Sequence, residues 1–209
     1  SPRLIRMDNH LIEIDNISLL RNEKSILENI SFQIKKSKAL NLYGLNGSGK
    51  TSLLKIIVGM TEPTSGFIKN ISGDEDLFKK TIYIGHKYGT KGNLTVEENL
   101  SYALTVNSKN SQLAIKKALE TYKMTQQKSM LTKNLSHGQQ KKVSLMKTLI
   151  TNSLLWVIDE PYSALDEESI NIFNDTTKEY LENGGALIMT SHKKIKEPFF
   201  TTENYKIYS

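Results

Sequence analysis

The segment Gly44–Thr51 carries the residue types and the spacing that bind a chain of phosphates. It reads Gly-Leu-Asn-Gly-Ser-Gly-Lys-Thr, which matches the nucleotide-binding pattern G-x-x-x-x-G-K-[ST] in full. Glycines allow a tight turn whose backbone N–H groups point at phosphate oxygens, and a helix that begins there adds its positive end. Lys50 can then reach the β- and γ-phosphates, and the Thr51 hydroxyl is placed for Mg²⁺. The loop alone predicts a site for ATP or GTP with Mg²⁺, formed by Gly44, Leu45, Asn46, Gly47, Ser48, Gly49, Lys50, Thr51 and the adjacent Ser52.

Two acidic residues follow an apolar segment much later in the chain. Leu154–Ile158 has the composition of a buried strand, and Asp159 and Glu160 come directly after it. A carboxylate at the end of such a strand, beside a phosphate loop, is where enzymes of this kind hold Mg²⁺. We therefore predict Asp159 and Thr51 as metal ligands, and Glu160 as the base that orients or deprotonates an attacking water. The alternative is a strand followed by an acidic turn, which the phosphate loop makes less favoured.

The elements around these residues alternate between strand and helix patterns. Partly alternating apolar residues predict strands at Leu11–Leu20 and Ser25–Ile34, and short segments, several of them apolar runs, predict strands at Ala39–Tyr43, Thr81–Ile84, Ser153–Ile158 and Ala186–Thr190. Apolar spacings of three and four predict helices at Thr51–Met60, through most of 95–150, and before Gly184. This order favours an α/β fold with a mainly parallel sheet and a helical insert.

Composition restricts the class of protein. The chain has 209 residues, which suits a single domain, and 24% charged with 38% hydrophobic residues is ordinary for a globular protein. The absence of cysteine excludes disulfides, thiolate metal sites and cysteine nucleophiles. No apolar run approaches the roughly 20 residues that cross a bilayer, and the first ten residues have no secretory-signal pattern. The net charge of +6 comes from scattered lysines, so a solvated basic surface is favoured over a nucleic-acid site.

Three further motifs resemble those of the ABC ATPases. Leu135-Ser136-His137-Gly138-Gln139 is similar to their LSGGQ motif, Ser163–Asp166 to their D-loop, and His192 to their switch histidine. Together with the phosphate loop and the two acids, the resemblance covers nearly the whole chain in the family's order. It implies an ATP-hydrolysing P-loop NTPase (ABC ATPase) core, at about 1–94 and 151–209, with an N-terminal antiparallel β subdomain. A helical subdomain with the LSHGQ motif is expected at about 95–150.

The resemblance also implies partners. In the family, two cassettes stack head to tail, and each ATP lies between the phosphate loop of one and the LSGGQ helix of the other. Ser136, Gly138 and Gln139 are then expected to bind the ATP of a second copy of the chain, since a helix N-terminus favours phosphate. His192 would contact the γ-phosphate. The family also implies integral membrane permease subunits, which place the chain on the cytoplasmic face of the inner membrane. No nucleic-acid partner is expected.

Two positions depart from the family pattern. His86 follows the predicted strand Thr81–Ile84 where the family has a glutamine that touches Mg²⁺. Imidazole is a poorer ligand for Mg²⁺ than an amide oxygen. We therefore expect His86 to contact the attacking water or the partner interface, as a further catalytic residue. No aromatic residue that could stack on adenine lies near Leu20–Glu23, where Arg21 could stack instead.

The segment around His86 resembles that of one branch of the family, the CcmA ATPases of the haem exporter of cytochrome c maturation. Gly85-His86-Lys87-Tyr88-Gly89, followed by Asn93–Leu100, is similar to that branch's GHQPG…LT-x-x-ENL, although Lys87 replaces a glutamine. The segment 135–143 is similar to its LSAGQQRRV. The resemblance implies an exporter ATPase that need not touch haem. The alternatives are another ABC importer or exporter, an ABC-type ATPase acting on DNA or ribosomes, and a nucleotide switch without turnover, against which Glu160 argues.

Overall fold

A computed structural model describes residues 9–86, 89–104, 111–195 and 199–208. The strands are β1 His10–Arg21, β2 Lys24–Lys35, β3 Ala39–Tyr43, β4 Ser65–Asn70, β5 Thr81–Ile84, β6 Leu155–Ile158, β7 Ala186–Ser191 and β8 Thr202–Lys206. The α-helices are α1 Lys50–Ile57, α2 Val96–Ala103, α3 Ser111–Thr121, α4 His137–Ile150 and α5 Glu167–Glu182. Across the described part of the chain, no helix is both long and apolar enough to cross a membrane. Lys87, which enters the likeness to the exporter branch, lies outside the described residues.

An antiparallel sheet with the order β2-β1-β4 forms the N-terminal part of the fold. Strands β1 and β2 make a hairpin whose two turn residues, Asn22 and Glu23, have φ angles of 49° and 62°. Positive φ at both central residues matches the right-handed twist of the strands they join. The predicted antiparallel β subdomain is therefore confirmed. Strand β4 was not predicted, because most of its residues are exposed and give no alternating signal.

A five-stranded sheet with the order β5-β6-β7-β3-β8 forms the second layer, and all of its neighbouring strands are parallel. The carboxyl ends of parallel strands meet at one edge of a sheet, which is where ligands bind in open α/β folds. His86 follows β5, Asp159 follows β6, His192 follows β7 and Gly44 follows β3. The topology therefore gathers four segments with predicted site residues at one edge.

Each face of the parallel sheet has its own hydrophobic core. Along β6, Leu155 and Val157 pack into a core shared with the antiparallel sheet and α1. Trp156 and Ile158 point the other way, into a core shared with α2, α3, α4 and α5. This alternation follows from the two-residue period of a strand. The α/β fold with a helical insert is thus confirmed, and the insert packs directly on the sheet that carries the site.

Candidate nucleotide site

The loop Gly44–Thr51 joins β3 to α1, and its shape depends on glycine. Gly49 precedes α1 with φ 91°, and a Cβ there would lie 2.9 Å from the carbonyl oxygen of Ile26. A Cβ on Gly44 would lie 2.4 Å from the carbonyl oxygen of Ile207. Both positions therefore exclude a side chain, the first also because left-handed backbone favours glycine. The loop therefore packs closely against β2 and against Ile207, the residue that follows β8.

Lys50 is buried at the start of α1, with only 6% of its surface exposed. Its Nζ donates hydrogen bonds of 2.8 Å to the carbonyl oxygens of Gly44 and Leu45. The loop thus holds its own lysine at the floor of the cradle. Ser48 is also buried, and its Oγ has no hydrogen-bond partner among the described residues. A buried hydroxyl without a partner is unusual, and it fits a loop that binds an acceptor such as a phosphate oxygen.

Asp159 connects the end of β6 to two threonines on neighbouring elements. Its Oδ2 accepts a 2.7 Å hydrogen bond from Thr51 Oγ1, and its Oδ1 accepts one of 2.5 Å from Thr190 Oγ1. Asp159 is 2% exposed. Its carboxylate is therefore fixed between α1 and the end of β7, with oxygen atoms beside the phosphate loop.

Glu160 lies next to Asp159 in an unusual backbone conformation, with φ 46°. Its N–H donates a 2.8 Å hydrogen bond to Thr190 Oγ1, so the same threonine holds both acids. Its Oε1 lies 3.3 Å from Nε2 of His192. Left-handed backbone is sparsely populated by glutamate and persists only where surrounding contacts hold it, often at functional sites.

A cavity of about 490 Å³ brings these groups together. Its lining residues are Arg21, Ile26, Asn46, Gly47, Gly49, Lys50, Thr51, Ser52, His86, Glu160 and His192. Six of the nine predicted loop residues, the predicted base and both predicted histidines therefore face one space, whereas the predicted residues Gly44, Ser48 and Asp159 do not line it. Leu45 does not line it, because its side chain is 74% exposed on the outer side of the loop.

Three predicted ligands lie elsewhere. Ser136, Gly138 and Gln139 form the first turn of α4, and none of them lines this cavity. Ser136 Oγ accepts a hydrogen bond from the N–H of Gln139, and Gln139 Oε1 accepts one from the N–H of Ser136. This is a capping box, which satisfies both ends of the turn locally. Gly138 packs on the D-loop segment, where a Cβ would lie 2.7 Å from the carbonyl oxygen of Ala164.

Two residues at the site were not predicted from the sequence. Thr190 is 1% exposed and binds both acids, although its only sequence signal is its place at the end of a strand. Lys141 is also 1% exposed, and its Nζ donates a 3.0 Å hydrogen bond to the backbone oxygen of Asp159. Burial lowers the pKa of Lys141 to about 8, and the nearby carboxylates of Asp159 and Glu160 oppose that shift.

No cluster of three or more His, Cys, Asp or Glu side chains in the described ranges could hold a metal ion by itself. The oxygens of Thr51 and Asp159 are nevertheless of the type that Mg²⁺ prefers. Mg²⁺ commonly takes only one or two protein ligands and completes its shell with phosphates and water. The pair therefore fits a metal that arrives with a nucleotide.

Comparisons with known proteins agree with this geometry. The sequence model of the ABC transporter family matches residues 27–163. A protein of Vibrio vulnificus (strain YJ016), named cytochrome c biogenesis ATP-binding export protein CcmA, is 32% identical over 189 residues, covering 88% of this chain and 92% of that protein. A protein of the same name from Histophilus somni (strain 129Pt) is 30% identical over 195 residues, covering 90% of each chain.

Solved structures share the fold. One, described as the ATP-binding subunit of an ABC transporter, superposes with a TM-score of 0.78 at 25% identity, covering 87% of this chain and 79% of that one. A nucleotide-free ATP-binding cassette from an ABC transporter gives a TM-score of 0.69 at 23% identity, covering 88% and 82%. The second likeness concerns the fold alone.

Proposed function

This chain belongs to the ABC transporter family and hydrolyses ATP, and from that premise we propose that it is the ATPase subunit of the haem exporter of cytochrome c maturation. The observation that carries the proposal is the chain's likeness to two proteins named as cytochrome c biogenesis export ATPases, over most of their length. His86 supports it, because this histidine of the exporter-branch motif lines the nucleotide cavity.

The chain's own residues suit each part of ATP hydrolysis. Lys50 would exchange its bonds to the loop carbonyls for the β- and γ-phosphates, at little change in position. Thr51 and Asp159 would hold Mg²⁺. A metal ion held there would supply positive charge that offsets the negative charge developing on the phosphates. Glu160 would accept a proton from the attacking water, and His192, within 3.3 Å of it, would donate a hydrogen bond to the γ-phosphate.

The role proposed for His86 is to position water rather than metal. Its side chain is exposed at the mouth of the cavity that Glu160 and His192 also line. Imidazole can donate and accept hydrogen bonds but is a poor ligand for Mg²⁺. A His86→Gln variant should therefore change the rate of hydrolysis or its pH profile. Unchanged values for both would contradict this role.

We further propose that two copies of the chain close head to tail over two ATP molecules. Ser136, Gly138 and Gln139 lie outside the cavity of their own chain, and Ser136 is exposed. The N–H groups at the start of α4 carry positive partial charge that suits a γ-phosphate. One chain thus supplies the loop of one site and the first turn of α4 to the other.

The helical insert and the segment 86–93 are proposed to dock on integral membrane permease subunits at the cytoplasmic face of the inner membrane. Tyr102 and Leu113 on this insert expose 70% and 66% of their surface, and a groove at α3 includes Leu113, Ile115 and Leu119. Where exposed apolar side chains form one contiguous patch, they favour a protein partner. The chain need not touch haem.

The test is co-expression of the tagged chain with its operon-encoded membrane partners in cells that lack their own exporter ATPase. We expect co-purification of the membrane partners and recovery of covalently haem-bearing cytochrome c. A Glu160→Gln variant should co-purify with the same partners without restoring the cytochrome. Recovery of ATP hydrolysis and partner binding without cytochrome c would reject the haem exporter and favour another ABC importer or exporter.

A further inference from the structure

Lys141 is a buried lysine in the second turn of α4, away from the nucleotide cavity. An ammonium group without solvent is unfavourable unless polar partners surround it. Its Nζ donates a 3.0 Å hydrogen bond to the backbone oxygen of Asp159, and the carboxylates of Asp159 and Glu160 stabilise its charged form. The lysine therefore belongs electrostatically to the catalytic pair, although it sits on the helix that begins with the LSHGQ motif.

The peptide bond between Asp159 and Glu160 is held from both sides. Its oxygen accepts the hydrogen bond from Lys141 Nζ, and its N–H donates one of 2.8 Å to Thr190 Oγ1. The orientation of this peptide sets the direction in which the Glu160 side chain leaves the backbone. Since Glu160 has φ 46°, a conformation that local preference opposes, these two bonds help to hold it there.

Two surface contacts join the same end of α4 to the segment that follows the acids. Gly138 packs on the carbonyl of Ala164, and Lys142 Nζ lies 3.4 Å from Oδ2 of Asp166. A displacement of the first turn of α4 would therefore be passed to the segment 159–166 through the close Gly138 contact, whereas the Lys142 pair ends on an exposed carboxylate. Lys141 is the link that ends on the peptide between Asp159 and Glu160.

We propose that Lys141 is a positioning residue that couples the two nucleotide sites of the dimer, by joining the LSHGQ turn of one site to the Glu160 peptide of the other. The inference rests on the head-to-tail dimer proposed above. In that dimer, the start of α4 contacts the partner's nucleotide, whereas Glu160 faces the chain's own. Closure of one site then orients the base of the second through a single buried side chain.

The test compares Lys141→Met with Lys142→Met in the full-length chain. Methionine keeps most of the volume and the apolar stem of lysine but cannot donate a hydrogen bond. We expect Lys141→Met to lower kcat by about 10²-fold, which is the effect of a misplacement of about 1 Å at a reacting group. The affinity of the monomer for a fluorescent ATP analogue should stay within about twofold, because no contact with the loop is lost. The Hill coefficient for ATP should fall towards 1.

Lys142→Met is the matched control on the same helix, since its ion pair is with Asp166, whose side chain is 63% exposed, and ion pairs screened by solvent contribute little. Its kcat and Hill coefficient should stay near the wild-type values. Lys141→Arg restores a donor and should recover part of the rate, which a role in packing alone would not require. If Lys141→Met is unstable, as shown by its Tm, Lys141→Leu, which also cannot donate a hydrogen bond, replaces it.

Each outcome has one meaning. Wild-type kcat and cooperativity in a folded Lys141→Met protein would overturn the inference while leaving the ATPase proposal intact. An equal loss of kcat and cooperativity in Lys142→Met would also overturn the inference, because the effect would then come from removing a positive charge from α4 and not from the hydrogen bond of Lys141. If Glu160→Gln fails to form an ATP-dependent dimer, the dimer proposal itself is wrong, and the coupling falls with it.

Discussion

The phosphate loop and the LSHGQ turn are both helix starts, but they are stabilised in opposite ways. At the loop, Thr51 bonds to Asp159 from 108 residues away, and Gly49 and Gly44 lie close to Ile26 of β2 and to Ile207. At the turn, Ser136 and Gln139 satisfy each other three residues apart and face solvent. The loop thus depends on contacts between residues far apart in the sequence, whereas the capping hydrogen bonds of the turn are local.

In the proposed dimer, this difference explains how one chain can carry the phosphate loop and the LSHGQ turn, two parts of a nucleotide site that do not meet within the chain. A half that depends on long-range contacts must be built into the sheet edge, where Asp159 and the proposed base Glu160 lie. A part that is stabilised by a local capping box can lie at the exposed start of a helix, where another copy of the chain can reach it. The buried pair Lys141 and Asp159 is where the two halves touch within one chain.

The largest effect should come from removing the proposed base, Glu160, beside the phosphate loop. Glu160→Gln keeps the side-chain volume but removes the proton acceptor, so kcat should fall by about 10²–10⁴-fold. ATP should still bind, and the closed dimer should persist and be visible by size-exclusion chromatography with ATP and Mg²⁺. Glu167→Gln, an exposed glutamate in the first turn of α5, should retain its activity. Normal turnover by Glu160→Gln would show that another group serves as the base.

The division into halves can be tested by mixing two inactive variants. Lys50→Ala damages only the loop, and Gly138→Ala damages only the turn, because its Cβ would meet the Ala164 carbonyl at 2.7 Å. Each alone should be nearly inactive. Their mixed dimer contains one intact loop facing one intact turn, so the mixture should exceed the activity of either variant. An inactive mixture of two folded variants would mean that each chain works alone.

Sequence reasoning succeeded where the signal is local and failed where it is not. The bounds of β3 and β5 were predicted as observed, because apolar runs with turn residues at their ends define them. Strand β8 was missed, since its sequence alone favours no strand and it depends on pairing with β3 and on the contact between Phe32 and Tyr205. Lys141 was missed because a lysine on an amphipathic helix is normally exposed. Only the folded chain shows that its end meets a carbonyl.

A substitution of Thr190 would show how far the arrangement of Asp159 and Glu160 depends on a single hydroxyl. Thr190→Val keeps the shape but leaves the Glu160 N–H without its acceptor, and it removes a donor to Asp159. A buried polar group left unsatisfied costs about 1–3 kcal/mol. We expect kcat to fall by about tenfold, with partial rescue in Thr190→Ser, which keeps the hydroxyl. Binding of nucleotide by the monomer should change less than kcat, and the opposite result would place Thr190 in binding.

The smallest effect concerns alkaline pH and Tyr162, two residues beyond Glu160. Its hydroxyl donates a 2.8 Å hydrogen bond to Asn174 Oδ1 on α5, and burial raises its pKa to about 12. Because this folded-state pKa lies above the ordinary value of about 10, the folded chain keeps the proton after the unfolded chain has lost it. The stabilisation is fully present below pH 10 and is lost as the pH rises towards 12.

Tyr162→Phe removes this titration, so a comparison with the wild type separates the contribution of Tyr162 from that of the other buried tyrosines. Between pH 10 and 12, the free energy of unfolding of the wild type should fall more steeply than that of Tyr162→Phe, by up to about 1.4 kcal/mol per pH unit. Urea unfolding at fixed ionic strength measures both. The capping box at Ser136 contains no group that titrates in this range, so Ser136→Ala should lower stability by about 1 kcal/mol equally at pH 8 and pH 11. Parallel pH curves for wild type and Tyr162→Phe would show that the Tyr162 hydroxyl is open to solvent. The contrast between the phosphate loop, which depends on long-range contacts, and the locally capped LSHGQ turn would then be weaker.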